Sequence, residues 1–349
     1  MASTVPEIPH VKLGDSGLSV SNVICGCMSF GDKAWADWVV EEEETMEILK
    51  KCYDVGIRTF DTADVYSNGK SEILLGKFLK KYNIKRDRVV ILTKLFNPVS
   101  DTTESFGTSD SSAPTYEMLN SQGLSRKHIF DATQESVKRL GTYIDVLQIH
   151  SFDQTTPKHE IMKALNDVVL EGHARYIGAS NLRATEFAEL QFIADKNGWF
   201  KFISAQNYYN LLYREDEREM IPFAERNSLG KVGLIPWSPI AMGNLARPYD
   251  PNAKFRRIHP IVDILQYNDF PKSDIEIINR VEGVAKKYDT SMIIVATAWL
   301  ISKGACPIVG LNSVERVEEI VKATHFKLTE EEIKYLEQPY EPKYYQFFS

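Results

Sequence analysis

The stretch IRTFDTADVYSNGKSEILLGKFLKKYNIKRDRVVILTKL, residues 57–95, decides the fold. It opens on a strand-like run rich in β-branched and aromatic residues, IRTFDTAD (57–64). An amphipathic run follows, SEILLGKFLKKY (71–82), and then a second strand-like run, RVVILTKL (88–95). Strand, helix, strand is the pattern of a parallel β/α unit, because parallel neighbours need a crossover long enough to hold a helix. The same rhythm continues outward. Strand-like runs recur at SNVICGCMSFG (21–31), IDVLQIHS (144–151), ARYIGASN (174–181), FISAQNYYN (202–210), VGLIPWSP (232–239) and CPIVGL (306–311). Helix-like runs lie between them at 41–56, 125–141, 159–172 and 183–198, each closing on Gly.

Eight strands alternating with helices predict an α/β fold of the closed (β/α)8 TIM-barrel type. An open doubly wound sheet is the alternative, but no GxGxxG follows the first strand, where that fold places its dinucleotide-binding turn. The chain reads as one domain over residues 1–349: a β-hairpin over 10–21 able to plug the barrel bottom, a barrel over 22–326, and a C-terminal tail over 327–349. Two connections, 97–124 and 240–272, are longer than a bare barrel needs and read as long βα loops. Two consecutive helical runs, 274–289 and 291–304, add one helix to the plain repeat.

Composition narrows the function. A formal net charge of −7 offers no basic field for neutralising phosphates along a duplex, so nucleic acid is not expected as a partner. The four cysteines form no CxxC and read as reduced core thiols rather than a metal or disulfide site. No N-terminal basic-then-apolar leader is present, and nowhere do about 18 apolar residues run together. The expectation is a cytoplasmic protein without a membrane span.

In a barrel, chemistry gathers at the carboxyl ends of the strands. Here those ends carry Asp61 with Tyr66 just beyond it, Lys94, His150, Ser180 with Asn181, Gln206, and Trp237 with Ser238. Taken singly, each has a plainer reading: Asp61 as a helix cap, His150 as a core histidine, Lys94 as a lysine reaching for water, Trp237 as packing. Their succession at strand ends favours general acid catalysis. A phenol near its reference pKa of about 10 is a slow proton donor at neutral pH, and a neighbouring ammonium is expected to lower it. Lys94 can play that part, with Asp61 holding it and His150 orienting a substrate oxygen. A group that protonates a developing alkoxide implies hydride delivery to a carbonyl, and hydride implies a nicotinamide or flavin. A Schiff-base aldolase using Lys94 is the competing chemistry.

The ordered series FDTADVYSNGKSE, ILTKL, GLSRKHIFDATQESVKRLGTYIDVLQIH, IGASN, AQNYYN, IPWSPIAMGNLARP and VGLNSVERVEE resembles the aldo-keto reductase superfamily across nearly the whole chain. Within it, GLSRKHI, IPWSP and LEQPYEPK are most similar to the branch of aryl-alcohol dehydrogenases and versiconal hemiacetal acetate reductase. The resemblance implies a (β/α)8 barrel that reduces aldehydes and ketones with NADPH, in preference to NADH, without metal. It implies Asp61, Tyr66, Lys94 and His150 as the catalytic four. Ser180, Asn181 and Gln206 would hold the nicotinamide carboxamide, and Trp237 would stack on the ring. Ser238, Gly243, Leu245 and Arg247 would belong to a loop across the pyrophosphate. Asn312, Arg316 and Glu319 would meet the adenosine 2′-phosphate and adenine. Phe30 and Trp35 are expected on the wall of a pocket for aryl or bulky aliphatic aldehydes. Within the same superfamily, potassium-channel β subunits bind NADPH mainly as partner modules, which keeps a second class open. This chain departs from the common pattern at Ser151, Met242, Asn312 and Ile320, where Arg, Arg, Ser and Asn are frequent.

Overall fold

The computed structural model describes residues 8–100, 116, 118–251 and 270–345. Much of the two long loops, including FRRIHPIVD (255–263), and the last four residues of the tail lie outside the described residues. Strands β1 (His10–Lys12) and β2 (Ser19–Ser21) pair antiparallel, His10 opposite Ser21. Their turn needs glycine at Gly14: φ is +59°, and a Cβ there would sit 2.4 Å from the Lys231 carbonyl oxygen.

Eight further strands follow among the described residues: β3 (Ile24–Gly26), β4 (Thr59–Asp61), β5 (Val90–Leu95), β6 (Ile144–Ile149), β7 (Ala174–Ser180), β8 (Phe202–Gln206), β9 (Gly233–Leu234) and β10 (Ile308–Gly310). Their order is β10-β3-β4-β5-β6-β7-β8-β9, and every neighbouring pair is parallel. The ends of this sheet meet. Cys306 N–H donates to Leu234 O (2.9 Å) and Ile308 N–H to Pro236 O (2.8 Å), while Trp237 and Ile308 form a parallel bridge. The sheet is therefore a closed (β/α)8 barrel.

Among the described residues the α-helices are α1 (Glu42–Asp54), α2 (Lys70–Lys81), α3 (Arg126–Leu140), α4 (Lys158–Leu170), α5 (Ala184–Asn197), α6 (Met220–Glu225), α7 (Lys272–Lys287), α8 (Met292–Ser302), α9 (Val314–His325) and α10 (Glu330–Glu337). Local chemistry sets their ends. Ser125 caps α3 by accepting the His128 N–H, and left-handed Gly141 and Gly198 close α3 and α5. The short helices α6 and α10 lie where no helix was expected: α6 is only six residues long, and α10 starts on a Thr329/Glu332 capping box inside the charged tail.

Two cores position the site. Leu13 and Val20 of the hairpin pack with Ile24, Leu92, Val146, Ile235 and Ile308 inside the barrel. The hairpin thus plugs the barrel at the end away from the strand C-termini. A larger core fills the space between sheet and helices, with Phe60, Ile91, Leu147 and Ile177 fully buried. Burying each such side chain contributes about 1.5–3 kcal/mol relative to exposure, which holds the strands in fixed register. All four cysteines are buried free thiols.

Candidate active site

Five consecutive barrel strands, β4 to β8, deliver polar groups at or just beyond their carboxyl ends. β4 ends on Asp61, β5 carries Lys94 opposite Gln148 of β6, β6 runs into His150, and Ser180 of β7 stands opposite Gln206 of β8. Lys94 is fully buried, and its ammonium donates to Asp61 Oδ1 (2.5 Å), Thr62 O (2.8 Å) and the Tyr66 hydroxyl (3.2 Å). Three oxygens thus satisfy its three donors, the condition for keeping an ammonium out of water. The other oxygen of Asp61 accepts from Gln148 Nε2 (3.1 Å) and Gln206 Nε2 (2.9 Å), and Gln206 also donates to Gln148 Oε1 (3.0 Å). Gln148 was not singled out in the sequence. The signal was present, since strand alternation puts it on the same face as His150 two residues later, a polar side chain in an apolar run.

Electrostatics refine the expected roles. Burial works against the Lys94 ammonium, but Asp61 and then Tyr66 outweigh it, and its pKa is raised. Tyr66 differs from expectation: burial pushes the phenol up more than Lys94 pulls it down, so its pKa lies above the ordinary value. The expected lowering is corrected in sign because desolvation of a phenolate exceeds the attraction of one ammonium already shared with Asp61. The phenol is therefore held protonated.

His150 meets Tyr66 edge-on, ring centroids 5.8 Å apart, and its buried Nδ1 has no hydrogen-bond partner. Burial and then the Lys94 charge lower its pKa to about 3, although the residue as a whole is only half-buried. A neutral imidazole beside a protonated phenol can hydrogen-bond an incoming oxygen. The sign of the linked stability effect follows. Between pH 6.5 and about 3 the unfolded chain holds a proton at His150 that the folded chain does not, so this contribution is lost as pH falls. Wild type should lose up to about 1.4 kcal/mol per pH unit more than His150→Gln between pH 6 and 4.5. Denaturant titrations of both proteins check it; parallel pH slopes would contradict it.

Ser180, Asn181, Gln206 and Trp237 come together as expected. Ser180 Oγ donates to Gln206 O (2.7 Å), Asn181 Nδ2 donates to His150 O (3.0 Å), and Trp237 Nε1 donates to Asn181 Oδ1 (2.9 Å). Trp237 also packs on Tyr208, centroids 4.7 Å apart. A nicotinamide carboxamide fits this set chemically. Gln206 spends both N–H groups on Asp61 and Gln148, so its carbonyl oxygen is the end suited to accept a donor. Each end of the Asn181 amide carries one of these bonds and has capacity for another.

The loop after Trp237 is folded on itself. Ser238, Ala241 and Met242 all have positive φ, and the N–H groups of Met242 and Gly243 donate to Ser238 Oγ and Ile240 O. Leu245 is fully buried and its N–H bonds Ile240 O, so it supports the loop from beneath, whereas Arg247 is exposed. At α9, Ser313 caps the helix by accepting the Arg316 N–H, with Asn312 and Arg316 exposed and Glu319 half-buried. This is a helix N-terminus open to an anion. Phe30 and Trp35 depart from expectation: at 1% and 3% exposure they present no surface to a pocket. Phe30 is absorbed into the main core, and Trp35 packs edge-on against Trp38.

Comparison with known proteins gives the family of a chain with this barrel and this buried Asp–Lys–Tyr chain. Residues 22–341 match the Aldo/keto reductase family. The chain belongs to the aldo/keto reductase family. This aldo/keto reductase is 54% identical over 340 residues to a Saccharomyces cerevisiae protein provisionally named aryl-alcohol dehydrogenase AAD16, covering 96% of this chain and 98% of that one. It is 53% identical over 338 residues to versiconal hemiacetal acetate reductase of Aspergillus parasiticus, covering 96% and 97%. The aldo-keto reductase AMT2 of Alternaria alternata is 46% identical over 339 residues, covering 94% and 90%. The protein is an oxidoreductase of a family that acts on small carbonyl compounds with nicotinamide cofactors. Among the described residues, no helix of this reductase is long and apolar enough to cross a membrane.

Proposed function

We propose that the protein reduces aldehydes and ketones to alcohols with NADPH, aryl and bulky aliphatic aldehydes foremost. The observation that carries this reading is the Lys94 ammonium bound at once to Asp61 and the Tyr66 hydroxyl, with the His150 ring edge-on beside that phenol. His150 donates a hydrogen bond to the substrate oxygen and sets it against the Tyr66 hydroxyl. As negative charge grows on that oxygen, Tyr66 gives up its proton. Lys94 then stabilises the phenolate left behind, and Asp61 keeps the ammonium in place. This is general acid catalysis combined with preorganised electrostatics. Bound NADPH supplies the hydride. Asn181 and Gln206 would hold its carboxamide, Trp237 would cover the ring, and Asn312, Arg316 and the first turn of α9 would receive the 2′-phosphate.

The name of the S. cerevisiae relative supports an aryl substrate. Arg316 supports NADPH over NADH, because a guanidinium–phosphate bond is worth about 1.5–3 kcal/mol. The test is loss of NADPH absorbance against a panel of benzaldehydes and aliphatic aldehydes, run beside NADH and the Arg316→Ala protein. Wild type should consume NADPH, and Arg316→Ala should narrow its preference over NADH by about tenfold. Tight NADPH binding with no aldehyde consumed would sink this reading in favour of a cofactor-binding partner module.

A further inference from the structure

Asn181, the residue between His150 and Trp237, has a left-handed backbone with φ +61°. Asn tolerates that region better than most residues, but something must hold it there against the extended alternative. One side chain grips both sides of the bend. Asn207 Oδ1 accepts the Asn181 N–H (3.0 Å), and Asn207 Nδ2 donates to the carbonyl of Leu182 (3.1 Å). The same Nδ2 donates to Asp216 Oδ2 (2.7 Å). Asp216 is 5% exposed, although it lies in the run REDERE, which reads as a solvated surface. Burial pushes its carboxyl up to about 7, opposed by hydrogen bonds from Asn207 and Tyr345.

Tyr345 belongs to the tail. Its hydroxyl shares its single proton between Asp216 and the Leu182 carbonyl (3.3 Å), and its ring lies under the Arg183 guanidinium (5.8 Å). The tail is strapped to the same turn one residue earlier. Glu215 Oε1 accepts from the Tyr340 hydroxyl and from the Lys343 N–H, both at 2.8 Å. Tail, the 215–217 turn, Asn207 and Asn181 form one continuous hydrogen-bonded chain reaching the site.

We propose that Asp216 is a positioning residue of the cofactor site: it orients Asn207, Asn207 fixes the backbone at Asn181, and Tyr345 couples the C-terminal tail to that clamp. The inference rests on the reading of Asn181 as a nicotinamide contact. Asp216 touches neither cofactor nor substrate; it sets where the Asn181 amide stands. Without it, Asn207 keeps its bonds to the 181–182 segment but loses the anchor that fixes its own rotamer, so the cofactor must select a less populated arrangement.

The test is NADPH affinity by tryptophan fluorescence titration on the full-length protein, with kcat and the unfolding midpoint read on the same samples. Asp216→Ala should weaken the NADPH Kd by about tenfold, the worth of one hydrogen bond to a charged group. At saturating NADPH its kcat should stay within about threefold of wild type. Asp216→Asn keeps an acceptor for Asn207 and a group able to bond Tyr345, and should restore Kd to within about threefold. Tyr345→Phe should weaken Kd by about threefold to tenfold. A merely structural role would move the unfolding midpoint and leave Kd alone; that result overturns the inference. Should Asp216→Ala fail to fold, Tyr345→Phe decides, and an unchanged Kd there overturns it equally. Wild type that binds neither NADPH nor NADH would instead overturn the proposed function, and this inference with it.

Discussion

Tyr66→Phe should lower kcat by about 10² to 10⁴ while leaving NADPH affinity and the fold nearly unchanged. The substitution removes one oxygen and keeps the ring, so the edge contact with His150 and the position beneath the Lys94 ammonium, 4.9 Å from the ring centroid, are retained. Lys94 loses an acceptor at 3.2 Å but keeps the shorter bonds to Asp61 and Thr62 O. The stability cost should therefore stay near 1 kcal/mol, the usual net worth of one hydrogen bond. What disappears is the only phenolic proton beside His150 among the described groups of the site. Stopped-flow consumption of NADPH with a saturating aldehyde measures the loss, and a fluorescence titration measures the Kd. A variant that turned over at the wild-type rate would mean that the proton comes from elsewhere.

Lys94→Met should damage both stability and turnover, and the two effects should separate on repair. Removing the ammonium leaves Asp61 buried with, among the described residues, only the Gln148 and Gln206 amides as hydrogen-bond partners. Breaking one member of a buried ion pair costs about 3–5 kcal/mol, more than the pair itself contributes over an apolar replacement. Turnover should fall by about 10² to 10³, because the phenolate formed at Tyr66 loses the charge that stabilises it. Adding Asp61→Asn removes the stranded carboxylate and keeps an amide able to bond both glutamines. The double variant should recover most of the stability lost by Lys94→Met and none of its activity, a strong coupling of the kind expected between residues in contact. Urea titrations and kcat on the four proteins of the cycle give the answer. Recovery of both together would mean that Lys94 serves only to neutralise Asp61.

The fold was legible because its two periodicities stand apart in the sequence. IRTFDTAD and IDVLQIHS read as strands, SRKHIFDATQESVKRLG reads as a helix, and β4, β6 and α3 lie within those runs. Three of the four candidate catalytic residues were legible for a related reason: Asp61, Lys94 and His150 are polar residues at or just beyond the carboxyl ends of apolar strands, where a barrel converges them. Quantities that depend on burial were not legible. The pKa of Tyr66 turns on how much water the folded site excludes, and nothing in the order DTADVY encodes that. Phe30 and Trp35 read as pocket walls because a loop rich in aromatics follows the first strand, yet the fold spends both on packing. Asp216 was hidden by its neighbours, since a charged run normally faces solvent, whereas here the tail covers it. Gln148 was readable from strand alternation alone.

The proposed reaction transfers hydride from NADPH to a carbonyl carbon while Tyr66 protonates the oxygen. The most direct measurement is the mass of the product alcohol formed from a benzaldehyde with NADPH carrying deuterium at both C4 positions. Wild type should give an alcohol bearing one deuterium on its carbinol carbon, and Tyr66→Phe only a trace of that product in the same time. Unlabelled alcohol, or no alcohol while NADPH remains tightly bound, would contradict it.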